Sequence, residues 1–488
     1  MSKPAKVIPI MSASAEVEDS AQFVSMYQKQ PTIYPRAVKG WFANWRWVFV
    51  WLTQLLFYGL PWLQWSGRQA VLFDLDAQRF YIFGLLLYPQ DLIFLAALLV
   101  LSALALFFFT AVAGRLWCGY TCPQTVYTEI FMWAERKIEG DRVARMRLDQ
   151  QPWRWNKIWR KGAKHSAWLS IALFTGFSFV GYFTPIRELA MDLASWNLSG
   201  WNAFWVLFYG AATYGNAGFL REQMCKYMCP YARFQSALID KDSLIITYDA
   251  KRGDPRGSRS RKADSAAHGL GDCIDCTLCV QVCPTGIDIR NGLQNECIGC
   301  AACIDVCNDV MDKMGYAKGL IRYSTENGVV NGWTRLQMFK RALRPRVLIY
   351  GAVLSAASVT FAASVAMRSP FKFDVVKDRG ALARVVEEGA VENVYRIQIM
   401  NRTEAPQTYR VAASGIDGLE VVAMPASAGP AAVTSTSVSL RLPFVVAQGL
   451  AGRSVPVMFA VTGVEPTSGT SADRSAIQFE KSTFFIPR

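Results

Sequence analysis

The chain has 488 residues, enough for several domains, and 52% of them are hydrophobic, with a mean hydropathy of +0.16, above the ordinary soluble range. Part of it is therefore expected in lipid. A net charge of +14 invites a nucleic-acid reading, but the basic residues gather beside apolar stretches, as in membrane proteins, so the expected partner is membrane lipid and no nucleic acid.

Residues 1–46 are polar, lack the apolar run of a secretory signal, and read as a cytoplasmic N-terminal segment. The region 47–248 reads as transmembrane, with four helices expected at 47–65, 92–113, 166–186 and 201–220, and a fifth follows at 347–367. Their lengths match a bilayer core of about 30 Å at about 1.5 Å per residue. Phe80–Tyr88 is apolar but too short to cross, and is expected to lie in the interface or re-enter.

Two pieces repeat at the inner ends of helices. Cys118, Gly119, Tyr120, Thr121, Cys122, Pro123 follows the second span, and Cys225, Lys226, Tyr227, Met228, Cys229, Pro230 follows the fourth. Both read C-x-Y-x-C-P. If the helix continues, an i, i+4 pair puts both thiols on one face and the proline closes the turn beyond them. Cys118, Cys122, Cys225 and Cys229 would then converge, and are the candidate catalytic residues. With Met224 and Met228 they form a soft donor set suited to Cu(I). A further iron-sulfur centre, a redox-active dithiol, or plain packing of cysteine and methionine are the other readings of the same residues.

Residues 249–272 are rich in Arg, Lys, Gly, Ser and Asp, and read as a flexible tether. The module 273–346 comes next, with eight of the twelve cysteines. Cys273, Cys276, Cys279 and Cys283 precede Pro284; Cys297, Cys300, Cys303 and Cys307 precede Asn308. Each set is C-x2-C-x2-C-x3-C, the spacing that gives three thiolates to one 4Fe-4S cluster and the fourth to its neighbour. Two clusters are expected: one on Cys273, Cys276, Cys279 and Cys307, the other on Cys297, Cys300, Cys303 and Cys283. Zinc would accept the same ligands, but zinc sites space them as separated C-x2-C pairs. Asn308 in place of a proline suggests a less constrained loop there.

The tail 368–488 has no cysteine and alternates with a period of two: Tyr395, Ile397, Ile399; Val438, Leu440, Leu442; Val457, Phe459, Val461. It reads as an immunoglobulin-like sandwich, with a barrel as the alternative. Lys and Arg fall on one side of the spans: six before the first and eleven in 114–165, against two in 66–91 and one in 187–200. Positive residues inside place every cysteine on the cytoplasmic side and the tail outside. Neither His165 nor His268 lies within an expected span, so no bis-histidine haem is expected in the bilayer. The expected fold is a multi-domain membrane protein: a five-helix transmembrane bundle, a two-cluster ferredoxin-like α+β module and a C-terminal all-β immunoglobulin-like sandwich.

These residues, above all WCGYTCPQTVY, MCKYMCP and the segment through CIDVCNDVMDKMGYAKGLIRYST, resemble the CcoG, FixG or RdxA family of membrane-bound polyferredoxins, accessory proteins of cytochrome oxidase. The resemblance implies a protein of the bacterial inner membrane that reduces Cu(II) to Cu(I) during assembly of a cbb-type cytochrome c oxidase. Its implied partners are oxidase assembly factors and copper chaperones or transporters, with a protein or a quinol as electron donor. A quinol-oxidising polyferredoxin subunit of a reductase chain shares most of the features, and a non-catalytic assembly scaffold or redox sensor is the reading from another class.

Overall fold

A computed structural model describes residues 32–261, 269–378, 380, 382–386, 389–464 and 477–487. Most of the N-terminal segment and His268 lie outside the described residues. The chain first forms helix α1 (Trp41–Gly59), then a three-stranded antiparallel sheet of Val71–Asp74, Arg79–Ile82 and Leu85–Leu87. Phe80–Tyr88 is thus mostly strand rather than an interfacial or re-entrant segment. Asp74 accepts a hydrogen bond from the Ala77 N–H, which turns the chain so that Phe80 pairs with Phe73.

Helices α2 (Leu92–Ala113), α3 (Leu116–Tyr120), α4 (Pro123–Glu139), α5 (Arg142–Gln150), α6 (Trp155–Val180), α7 (Ile186–Ala194) and α8 (Gly200–Gly215) follow. Helices α9 (Pro230–Leu238), α10 (Ala302–Met314) and α11 (Pro345–Ala366) come later. Among the described residues two helical segments are long and apolar enough to cross a membrane, Pro89–Ala113 and Pro345–Ala366. They pack together antiparallel, with the Phe94 ring 6.3 Å from Phe361 near one end and Phe108 against Gly351 near the other.

The other three expected spans look different. Helix α1 starts six residues earlier than expected and takes in Arg46; α6 starts at Trp155 and takes in Lys157, Arg160, Lys161 and Lys164; α8 gives way to a π-helical turn, Asn216–Leu220. Their outward faces are nevertheless apolar, with Trp51, Leu52 and Leu55 on α1 and Trp205, Leu207 and Phe208 on α8 all exposed. Inside, buried carboxylates of α4 gather buried and half-buried cations: Glu129 takes Arg46 and Arg136, Glu135 takes Arg145 and Arg221, and Glu139 takes Lys161 and Lys164. Removing one partner of such a pair leaves a charge out of water, at a cost of about 3–5 kcal/mol.

The cysteine-rich module is bracketed by a two-stranded antiparallel sheet, Ile245–Tyr248 against Ile321–Ser324. Its two ends meet at the end of α2. The Leu244 N–H donates to the Val112 carbonyl at 3.0 Å, while Ser243 Oγ and Arg344 Nη2 both donate to the Ala111 carbonyl at 2.8 Å. Residues 249–261, expected as part of a free tether, are laid on the module: Arg259 donates to the Gly271 carbonyl at 2.6 Å and Tyr248 to the Asp254 carboxylate at 2.9 Å.

The tail forms two antiparallel sheets. One runs Glu420–Ala423, Val433–Leu442, Val391–Asn401, Phe371–Lys377, with Arg384–Val385 also on the third; the other runs Ala426–Ala428, Gln407–Ser414, Ser454–Val464, Ile477–Phe485. The alternating residues read from the sequence, from Tyr395 to Val461, all face the shared core. This domain is fixed to the start of α2, where buried Asp91 takes both Arg368 and Arg402 and Tyr88 donates to the Asn401 carbonyl.

Candidate metal and cluster sites

The two halves of the cysteine repeat fold alike. Asp275 and Thr277 in the first, and Gly299 and Ala301 in the second, all have left-handed backbone, at φ values of 52°, 56°, 70° and 60°. Successive turns of this kind aim backbone N–H groups into a hollow, as anion-binding loops do. Two small hollows result. One is ringed by Cys273, Cys276, Cys279 and Cys307; the other has Cys283, Cys297, Cys300 and Cys303, with Cys279 at its edge. Each set thus takes its fourth thiol from the opposite motif. Cys276 in the first set is exposed, whereas no cysteine of the second set is.

Burial pushes Cys279 up to about 11 and both Cys297 and Cys307 up to about 12, with neighbouring thiols adding to the rise. Sulfurs so placed become thiolates when a cation or cluster neutralises them, which fits a polynuclear iron centre in each hollow. The repeat differs at its end for a reason. Pro284 closes a turn, but Asn308 lies inside α10, where a proline would break the helix, and its side chain accepts from the Gly319 N–H at 3.0 Å. Residue 308 is therefore helical rather than a looser loop.

The C-x-Y-x-C-P pairs lie beside the second hollow. In neither pair does one helix carry both thiols: α3 ends at Tyr120, a π-helical turn ends at Met228, and Cys122 and Cys229 stand just before the helices that Pro123 and Pro230 begin. Proline suits a first helical position, where its missing N–H costs nothing. All four thiols still come within electrostatic reach of one another. Burial, with neighbouring thiols adding to it, takes Cys118 up to about 11 and Cys225 up to about 12. Met224 is half-buried, but Met228 is 58% exposed. Among the described residues no three His, Cys, Asp or Glu side chains are grouped so as to hold a single ion, and this holds equally for the eight cysteines of the repeat.

Sequence reasoning missed the residues that seat this site. Gly119 lies so close to the module that a Cβ there would fall 2.7 Å from the Gly299 carbonyl oxygen, and Gly299 in turn needs its left-handed backbone. Arg115 donates to the carbonyls of Cys297 at 3.2 Å and Ala232 at 2.9 Å, joining both repeats to the second hollow. Buried Gln235 contacts Cys118 Sγ at 3.4 Å. The glycine directly after Cys118 was the one readable signal. His165 lies in α6 and bonds the Tyr214 hydroxyl at 2.9 Å, away from the thiols.

Comparison with known proteins bears on this arrangement. The chain is 36% identical over 422 residues to nitrogen fixation protein FixG of Rhizobium meliloti, covering 80% of each chain, and 38% identical over 404 residues to protein RdxA of Cereibacter sphaeroides, covering 81% of this chain and 84% of that one. It belongs to the FixG/RdxA family. Residues 220–326 match a 4Fe-4S dicluster domain, residues 95–140 a 4Fe-4S binding domain, and residues 361–487 the IG-like fold at the C-terminal of FixG. A crystal structure of a FixG-related protein from Vibrio parahaemolyticus aligns with 24% of this chain and 97% of its own, at 21% identity and a TM-score of 0.20. As a FixG-family member the chain is an iron-sulfur electron-transfer protein of oxidoreductase type.

Proposed function

We propose that this protein is a multi-pass membrane reductase that converts Cu(II) to Cu(I) for assembly of a cbb-type cytochrome c oxidase, with Cys118, Cys122, Cys225 and Cys229 as the place where the ion docks. The observation that carries the reading is the seating of Gly119 on Gly299, which sets a second group of thiols against the Cys297–Cys303 loop. In this reading Cys273, Cys276, Cys279 and Cys307 would hold one cluster and Cys297, Cys300, Cys303 and Cys283 the other. When bound, such clusters supply single electrons, which suits the one-electron step from Cu(II) to Cu(I).

The chain's own residues do the rest. Arg115 and Gly119 fix the distance between the two thiol groups, Gln235 orients Cys118, and burial favours a soft monovalent ion held by thiolates. The module and both thiol pairs lie on the cytoplasmic side of five membrane helices, and the sandwich lies outside. Copper chaperones or transporters and oxidase assembly factors are the partners this role requires.

A second reading places a third 4Fe-4S cluster on the same four thiols. It is supported by the 4Fe-4S binding domain match over residues 95–140, which includes Cys118 and Cys122. One experiment separates the two. Anaerobically purified, prereduced protein is given Cu(II) and a Cu(I)-specific chelator, and its iron is counted. The copper reading expects about eight irons per chain on the two-cluster pattern, and loss of Cu(I) production in Cys118→Ser with that iron unchanged. About twelve irons on a third such cluster, falling by a third in Cys118→Ser, would establish the second reading. Equal Cu(I) production by wild type and variant would overturn the first.

A further inference from the structure

The two hollows are alike in backbone but differ in charge. At the first, Arg290 bonds the carboxylates of both Asp275 and Asp288, the latter at 2.7 Å, so carboxylates outnumber the cation that lines it. At the second the excess is positive. Arg46 stands beside Cys300 and pairs with Glu129, which takes Arg136 as well. Arg115 is 9% exposed, and all three of its hydrogen bonds run to backbone carbonyls, those of Asn295, Cys297 and Ala232, and none to a carboxylate. Its Nε, like that of Arg46, is buried and finds no partner among the described residues. The buried carboxylate of Asp305, two residues after Cys303, is turned instead to the N–H groups of α1.

A guanidinium does not shed its proton to escape burial, so Arg115 remains a whole positive charge held out of water. Its place is built into the fold. The Arg115 carbonyl accepts from the Gly119 N–H at 3.2 Å and lies 3.0 Å from where a Cβ on Gly299 would stand. What the side chain faces are thiols: Cys297 of the second hollow, and Cys118 and Cys225 of the C-x-Y-x-C-P pairs, are all within its electrostatic reach.

We propose that Arg115, together with Arg46, is a positioning residue for the electron: their charge raises the reduction potential of the cluster on Cys283, Cys297, Cys300 and Cys303 above that of its neighbour, so that an electron shared between the two stays beside the four thiols. Reduction adds negative charge within a shell of thiolates, and the net charge and hydrogen bonds around the sulfurs set the potential. A buried cation is screened least and favours the reduced state. Water at Cys276 favours the reduced state of the first cluster, but it reaches one ligand of four, the others being buried or half-buried. The inference rests on the two-cluster assignment proposed above and is independent of copper.

The test is a redox titration of the full chain in phospholipid nanodiscs, anaerobic and free of copper, followed by EPR with iron counted in every sample. The two ferredoxin clusters of wild type should titrate in separate one-electron steps. Arg115→Gln should lower the upper step by at least tenfold in the ratio of reduced to oxidised cluster at fixed potential, about 59 mV for a one-electron couple, and leave the lower step and the iron content unchanged. Arg115→Lys gives up the planar fork that holds three carbonyls but keeps the charge, and should titrate within about threefold of wild type on the same scale. Asp275→Asn, at a half-exposed side chain beside the first hollow, should raise the lower step alone. A shift of the lower step in Arg115→Gln, equal shifts in the Gln and Lys variants, no shift in either, or no response to Asp275→Asn would overturn the inference and leave the cluster assignment intact. Loss of iron from either Arg115 variant would make the residue a structural post and overturn it as well. Wild type with fewer than about eight irons on the two-cluster pattern would remove the assignment itself, and the inference with it.

Discussion

Asp305 joins the cysteine module to helix α1, and its removal is expected to loosen that joint. Its Oδ2 accepts from the Ala43 N–H at 2.8 Å and its Oδ1 from the Phe42 N–H at 3.3 Å, while α1 has no side-chain cap of its own. The carboxylate is 6% exposed and faces the positive end of the helix dipole. A short hydrogen bond to a charged group contributes about 1.5–3 kcal/mol, and an N-cap residue typically about 1 kcal/mol. Asp305→Ala should therefore cost about 3 kcal/mol at the joint. Since about 1.4 kcal/mol is a factor of ten, local opening should rise about 100-fold. The assay is hydrogen exchange at the Ala43 amide in nanodiscs, with iron content as the control for intact clusters. Asp305→Asn, which keeps the shape but loses the charge, should fall between. Exchange within about threefold of wild type on the same scale, at full iron content, would refute the account of how the module is held.

Gly119→Ala should part the two thiol groups, because its Cβ meets backbone at Gly299 rather than a side chain that can turn away. Cu(I) production should drop while each group keeps its metal content, and an unchanged rate would count against the contact as the electron path. Cys276→Ser should remove one cluster and disturb the other, since Cys307 and Cys283 cross between the sets; iron content and the EPR of the reduced protein measure it, and zinc in place of iron would contradict the cluster reading. Reporter fusions after Arg160 and near Ser260 should report cytoplasm and fusions after Met367 the outer compartment; a cytoplasmic signal from the last would contradict the five-span topology.

The cysteine repeat was legible because cluster wrapping is a local affair, settled by which residue follows which. The sandwich was legible for a similar reason: alternation at Tyr395, Ile397 and Ile399 is a short-range pattern that a two-sided sheet requires. Leu92–Ala113 appeared at its full extent because nothing in it competes with an apolar helix. Where charge and apolar residues share a helix, the reading failed at the ends: Arg46 looked like a flank of α1 but is buried by Glu129, a partner 83 residues away. Whether one helix runs through the pairs ending at Cys122 and Cys229 stayed open, since sequence shows the proline but not that it opens the following helix. Asp305 could not be singled out at all, because a cap supplied from 262 residues away has no local signature.

Both ends of the cysteine module are tied to the last turn of one helix long and apolar enough to cross a membrane, at Ala111 and Val112. A soluble ferredoxin collects its electron in one place and delivers it in another, so its turnover depends on how often it meets each partner. This module has no such freedom of travel. Its neighbours are chosen at folding, the internal steps become first-order, and a higher protein concentration will not speed them. Whatever accepts its electrons has therefore to be brought to the module, not the module to it.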